Sequence, residues 1–335
     1  MNYMRIIFKK FKARMIVGCI LAVIALLAVS VIVFINQASF GRTPRGERLE
    51  RVMKSPNYRN GELKNQHETL LMTSDRGRFS GIWEFIFRKI DGLRPEQAVK
   101  AIKTDLRKIG RNEEILVWFG HSSYLIQTGG KRILVDPVFC MASPVSFVNK
   151  PFKGTELYTP DDMPDIDYLV ISHDHWDHLD YNTVKKLKDR IGAVICPLGV
   201  GEHFEYWGFD KERLIELDWN EDANLAPGFM IHCLPARHFS GRRLTANQSL
   251  WASFLLEAPS QKIYIGGDGG YDTHYAEIGN RFPGIDLAIL ENGQYNEEWS
   301  LIHLMPQYMA QTARDLKAKR VLTVHHSKYA LAKHR

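Results

Sequence analysis

No Cys-x-x-Cys pair occurs in this chain, and its four cysteines, Cys19, Cys140, Cys196 and Cys233, are scattered. That spacing excludes a disulfide framework and a cysteine zinc knuckle. Internal repeats and low-complexity tracts are also missing, so no repeat array is indicated. Charge is not extreme either: 24 % of residues are charged against 45 % apolar, ordinary values for a globular protein. The net charge of +6 is largely local, because Arg5, Lys9, Lys10, Lys12 and Arg14 crowd the start. Such a cluster suits anionic lipid headgroups better than nucleic acid, and no nucleic-acid partner is expected. The length of 335 residues accommodates one large domain or two small ones.

One long apolar run is present. Residues 15–35 carry no charge and are about long enough to cross a bilayer. A cleaved signal peptide would normally have a shorter core, and the exit Asn36-Gln37-Ala38-Ser39 is a poor cleavage site. Residues 1–36 are therefore expected to be a basic N-terminus and a retained single-pass anchor. Basic residues precede the span, but Arg42, Arg45, Arg48 and Arg51 follow it. The charge rule only leans towards a cytoplasmic N-terminus, with the main domain on the outer side. Residues 37–93 are expected to be a linker of little structure followed by an amphipathic helix. The helix is read from Phe79, Ile82, Trp83, Ile86, Phe87 and Ile90, which share one face at helical spacing. Residues 95–109 are expected to form a further helix, with Pro95 in its first turn.

From Glu114 onward short apolar strands alternate with turns, and helices are expected over 181–190 and 306–319. The central stretch is Leu169-Val170-Ile171-Ser172-His173-Asp174-His175-Trp176-Asp177-His178. A buried strand breaks into His-x-His-x-Asp-His. Imidazole and carboxylate are preferred ligands of zinc. His173 and His175, at alternate positions, can share one ion, and Asp177 and His178 can hold a second. Asp174 suits a supporting or turn-forming role. The same event recurs downstream, where strands run out at His238, at Asp268 among glycines, and at His325.

These residues resemble the ordered signature of the metallo-β-lactamase fold superfamily. Flanking stretches are similar to the branch of N-acyl-phosphatidylethanolamine-hydrolysing phospholipase D and its bacterial relatives. They include Trp118-Phe119-Gly120-His121-Ser122-Ser123, Asp136-Pro137-Val138-Phe139, Pro235-Ala236-Arg237-His238-Phe239-Ser240-Gly241-Arg242 and Gly267-Asp268-Gly269-Gly270-Tyr271. The resemblance covers residues 94–335 and implies an α/β fold, a four-layer αββα sandwich, as the hydrolase domain. It implies two Zn2+ ions, with iron or manganese as substitutes. His173, His175 and His238 would hold one ion, Asp177, His178 and His325 the other, and Asp268 would bridge them. His326 remains an alternative to His325. The resemblance further implies catalytic roles for Asp177, Asp268 and His303, the last near the substrate phosphate; His121 would be a supporting or strand-turn residue with no catalytic role. Members usually continue past the point where this chain stops, ten residues beyond His325, so either a truncated chain or an absent segment is expected, which bears on the pocket wall and not on the ligand set.

The function expected from anchor and ligand set together is membrane-anchored phosphodiester hydrolysis of a phospholipid. The partners would be the phospholipid substrate and the bilayer, and a homodimer is compatible with the resemblance. A soluble lactone or nucleotide-type phosphoester is the alternative substrate. A metal-stabilised binding protein without turnover is a third reading, disfavoured because structural zinc sites are closed.

Overall fold

The computed structural model describes residues 2–73, 91–145, 147–293 and 296–332. The expected amphipathic helix over residues 79–90 lies outside the described residues. The chain divides into two compact units, residues 1–40 and 41–335. The first contains the helix Asn2–Ile35. The most apolar stretch within its Lys10–Ile35 part has a mean hydropathy of 3.2 and is not buried, so this part is long and apolar enough to cross a membrane.

The second unit opens with a helix, Gly46–Lys54, and a hairpin of β1 (Tyr58–Arg59) and β2 (Glu62–Leu63). Two six-stranded sheets follow. The first runs β3 (Ile115–Trp118), β4 (Tyr124–Thr128), β5 (Lys131–Val135), β6 (Ile166–Val170), β7 (Ile191–Pro197) and β8 (Leu214–Leu217) in spatial order. The second runs β9 (Asp222–Ala226), β10 (Phe229–Leu234), β11 (Ser253–Glu257), β12 (Lys262–Ile265), β13 (Leu287–Glu291) and β14 (Val321–Val324). Pairing is antiparallel through the hairpins and parallel from β5 to β8 and from β12 to β14.

Alternation along the strands builds four layers. Tyr168 and Val170 of β6, Ile263 and Ile265 of β12 and Phe254 of β11 face a core shared by the two sheets. Leu169 and Ile171 turn to the opposite face, where Val184 and Leu187 of the helix Tyr181–Leu187 cover them. Tyr264, Ala288 and Leu290 do the same under the helices His274–Arg281 and Pro306–Asp315. The αββα sandwich follows because each sheet is apolar on both faces and must be covered on both. Each fully buried large aliphatic or aromatic side chain contributes roughly 1.5–3 kcal/mol.

Two expectations are corrected. Residues 95–109 are not helical; only the single turn Leu106–Lys108 forms, capped by Asp105. Val99, Ile102, Leu106 and Ile109 have helical spacing, but they do not share a buried face: Leu106 is buried while Ile102 is almost fully exposed. Amides of the stretch are taken instead by neighbouring loops: Val99 donates to the Lys153 carbonyl at 2.8 Å and Thr104 to the Tyr158 hydroxyl at 2.8 Å. Nor is the region after residue 40 an unstructured linker. Val52 and Leu63 are buried in the core between the sheets. Arg48 lies between Glu216, at 2.6 Å, and Glu202, at 2.8 Å, and Arg42 bonds Glu202 at 2.7 Å.

Candidate metal centre

All strands that run parallel end at one edge of the sandwich, and the chemistry collects there. β5 delivers Asp136, β6 delivers the turn from His173 to His178, β10 leads to His238, β12 to Asp268, β13 to Glu291 and β14 to His325. Two of these turns, at Asp136 (φ 40°) and His325 (φ 69°), and the turn after β3, at His121 (φ 54°), need left-handed backbone. Such strain in non-glycine residues persists where surrounding bonds over-determine it. Here His325 donates its amide to the His121 carbonyl at 2.9 Å, and His121 its amide to the His326 carbonyl at 2.9 Å. Gly267 (φ +60°) permits the approach of Asp268: a Cβ there would lie 2.8 Å from that of Ser172.

The structure brings all seven residues expected as ligands into one cluster, buried except for the partly exposed His175 and Asp177. His173 Nε2 is 2.8 Å from His175 Nδ1, and His238 Nε2 is 3.3 Å from the same atom. Beside them, Asp268 Oδ2 is 3.2 Å from both His178 Nε2 and His325 Nε2, and 3.9 Å from His238 Nε2. Asp177 Oδ2 is 3.5 Å from His325 Nε2 and 3.7 Å from His178 Nε2. Asp268 thus stands between a group of His173, His175 and His238 and a group of Asp177, His178 and His325. His303 joins the cluster, buried, with Nδ1 3.9 Å from Asp268 and its ring 5.1 Å from that of His238. His326 turns away: its ring packs on Trp118 and its nitrogens face Ser327 and Thr323.

The far nitrogens of these imidazoles are fixed by partners, which sets their tautomers. His238 Nδ1 donates to the Ile302 carbonyl at 2.7 Å, and His178 Nδ1 to Asp136 at 2.8 Å. Asp136 is itself held by the amide and hydroxyl of Ser172, at 2.8 and 2.6 Å. Glu291 receives His303 Nδ1 at 2.8 Å and the Leu304 amide at 2.9 Å, and lies 3.3 Å from His325 Nδ1. Asp174 takes the supporting role, accepting from Gly241, Ser249 and His203 at 2.8, 2.9 and 3.2 Å.

Electrostatics divide the cluster. Burial drives His173 and His238 well below the ordinary histidine range, leaving neutral imidazoles with a lone pair to donate. Burial acts on His325 too, but Asp268, Asp177 and Glu291 outweigh it and raise the group to about 10. Asp268 and Asp177 likewise raise His178 against its burial. Both aspartates, Asp268 buried and Asp177 partly so, are held well below the carboxylate range by the histidines around them.

The donor set fits divalent ions. Nitrogen atoms of three imidazoles converge within 4.8 Å. Asp268 Oδ1 is buried without a hydrogen-bond partner among the described residues, and a buried charged oxygen left so is costly unless it meets a cation.

Sequence reasoning missed two contributors. Asp136 and Glu291 also stand at the ends of parallel strands, and applying the strand-end rule to every acidic residue would have raised them as candidates. His121, expected as a supporting or strand-turn residue with no catalytic role, is fully buried with Nε2 3.0 Å from Asp177 Oδ2.

Comparison with known proteins places this geometry. A model of the beta-lactamase superfamily domain matches residues 131–326. An uncharacterized protein of Mycobacterium tuberculosis is 36 % identical over 290 residues, covering 84 % of this chain and 77 % of that protein. The N-acyl-phosphatidylethanolamine-hydrolyzing phospholipase D 1 of Caenorhabditis elegans is 29 % identical over 231 residues, 64 % of each chain. Among solved structures, Igni18, a metallo hydrolase from Ignicoccus hospitalis, shares the fold at a TM-score of 0.50 and 20 % identity, over 63 % of this chain and 82 % of that one. The domain match spans more than half of the chain and falls on the strands that carry the cluster, so this protein belongs to the metallo-β-lactamase superfamily and is one of its metal-dependent hydrolases.

Proposed function

We propose that the protein is a di-zinc phosphodiesterase of phospholipase D type, acting on N-acyl-phosphatidylethanolamine-like phospholipids at a membrane. The observation that carries this reading is Asp268, set between two histidine groups with, among the described residues, only nitrogen and oxygen donors around it. Imidazole and carboxylate suit zinc, and iron or manganese would also be accepted. Two such ions, when bound, supply a nucleophile at neutral pH and positive charge for the oxygens of a phosphodiester. The protein's part is positioning. Asp268 sets the spacing of the two histidine groups. Asp177, braced by His121, orients the attacking water. Glu291 occupies Nδ1 of His303, which turns Nε2 to a non-bridging phosphate oxygen. The name of the Caenorhabditis elegans relative supports the substrate class, and the apolar N-terminal helix supports work at a bilayer.

The test is elemental analysis of the purified protein, then turnover of N-acyl-phosphatidylethanolamine, a lactone and a nucleotide diester. About two zinc ions per chain and chelator-sensitive release of phosphatidic acid are expected. Turnover of the lactone or nucleotide ester alone would replace the phospholipid with a soluble substrate. Folded protein that binds no transition metal would overturn the centre itself.

A further inference from the structure

Arg42, Arg45 and Arg48, which follow the apolar run in the sequence, touch none of the expected ligands, yet their contacts lead to them. Arg42 and Arg48 bond the buried Glu202 at 2.7 and 2.8 Å, and Arg45 reaches it at 3.3 Å. Glu202 and the next residue, His203, also buried, stand on the helix Gly201–Tyr206. The Arg42 amide donates to His203 Nδ1 at 3.0 Å, and the Gly41 carbonyl accepts from Arg243 at 2.8 Å. Only glycine allows this approach at position 41 (φ +62°), because a Cβ there would lie 2.0 Å from His203 Nδ1.

The bond from Arg42 fixes the tautomer of His203. Nδ1 accepts, so the ring proton sits on Nε2, which donates to Asp174 at 3.2 Å. The same carboxylate accepts from the Gly241 amide at 2.8 Å and the Ser249 hydroxyl at 2.9 Å, both in the segment that follows His238. Asp174 lies in the chain between His173 and His175. His175 has the least support of its own among the histidines of that group. His173 Nδ1 meets the Ser172 hydroxyl at 2.9 Å and His238 Nδ1 the Ile302 carbonyl at 2.7 Å. His175 Nδ1 faces His173 and His238, and its Nε2 has no hydrogen-bond partner among the described residues. The aim of His175 therefore depends on the backbone of the turn, and Asp174 anchors that backbone.

We infer that His203 is a positioning residue of the metal centre: acting through Asp174, it sets the turn that aims His175. The stretch from Gly41 belongs to the site because it fixes His203. The inference rests on the proposed two-ion centre and adds what orients one of its ligands. Loss of an outer partner of this kind weakens metal binding by roughly 10- to 100-fold.

The test uses the detergent-solubilised full chain and two substitutions that split the relay. His203→Gln can place its amide nitrogen where Nε2 stands and keeps a donor for Asp174. His203→Asn can place its oxygen where Nδ1 stands and keeps only the acceptor for Arg42. Zinc dissociation constants are measured by competition with a chromophoric chelator, and thermal unfolding of each zinc-free variant reports on the fold. His203→Asn should raise one zinc dissociation constant by roughly 10- to 100-fold, whereas His203→Gln should stay close to wild type. In an Asp174→Asn background the difference between the two should vanish, because residues that act through one another are not additive. Equal zinc affinity in the Asn and Gln variants, or a difference that persists in the Asp174→Asn background, overturns the inference. Wild type that binds zinc but cleaves no phosphodiester overturns the phospholipase reading alone, and the same zinc measurements still decide the role of His203. Wild type that binds no transition metal overturns both.

Discussion

His303 and His325 stack with ring centroids 5.4 Å apart and share Glu291, yet the proposed reading gives them different work. His325 Nε2 faces both Asp177 and Asp268 and serves as a ligand; His303 faces the substrate. His325→Ala should lower zinc content from about two towards one and abolish turnover. His303→Ala should leave zinc near two and slow phosphodiester turnover about 30- to 1000-fold, the range for one charge-assisted contact to a developing oxyanion. Metal analysis and kinetics on both purified variants check this. Loss of zinc from His303→Ala with retention in His325→Ala would exchange the roles. His173, His175, His238, Asp268 and His325 were legible because each follows the end of an apolar strand, where a polar residue needs a reason; His303, which follows no strand, was legible only from the family resemblance. The carboxylates behind them were not, since an acidic residue before a turn has many ordinary explanations. Only the fold shows Asp136 behind His178 and Glu291 behind His303.

At the scale of elements, the strands of both sheets were legible from runs of apolar residues bounded by turns. The edge strand β9 was not, because Asp222 to Ala226 is polar and half exposed and reads as a loop. The stretch after residue 40 was hidden for a different reason. Its elements are short and polar, and its partners lie more than 150 residues away, as Arg48 with Glu202 and Glu216 shows. Removing it would strip Val52 and Leu63 from the core, at roughly 1.5–3 kcal/mol each. It would also leave the buried Glu202 carboxylate without its arginines, a loss of the kind that costs about 3–5 kcal/mol. A form lacking residues 1–40 should stay folded and bind about two zinc ions, whereas one lacking residues 1–93 should unfold at much lower temperature and lose metal. Thermal unfolding and zinc content of the two forms check this. Equal stability would show that the hydrolase unit begins near residue 94, as the sequence alone suggests.

Across the sandwich, the two sheets are joined at the metal edge by loops, and Lys328 is one tie beside the backbone bonds of His121 with His325 and His326. Its ammonium is buried and donates to the Val138 carbonyl at 2.9 Å and the Phe119 carbonyl at 3.3 Å, while its own carbonyl accepts from the Phe152 amide at 2.7 Å. The segment after β14 is thereby fastened to the ends of β3 and β5. Burial lowers the Lys328 pKa to about 8, with Asp180 and Glu156 only partly offsetting it. In the unfolded chain the group returns to about 10.4. Between these values the unfolded state holds a proton that the folded state has released, so stability from this group rises with pH over that window. Below about pH 8 the buried charge is a full penalty; above about 10.4 it is gone, a change of roughly 3 kcal/mol in all. Other groups titrate in the same range, so the measurement is a difference. The free energy of unfolding of wild type minus that of Lys328→Met, from urea titrations at pH 7 to 10.5, should climb through the window. A flat difference would mean that the amine titrates alike in both states and that its two carbonyl partners hold it as well as water does.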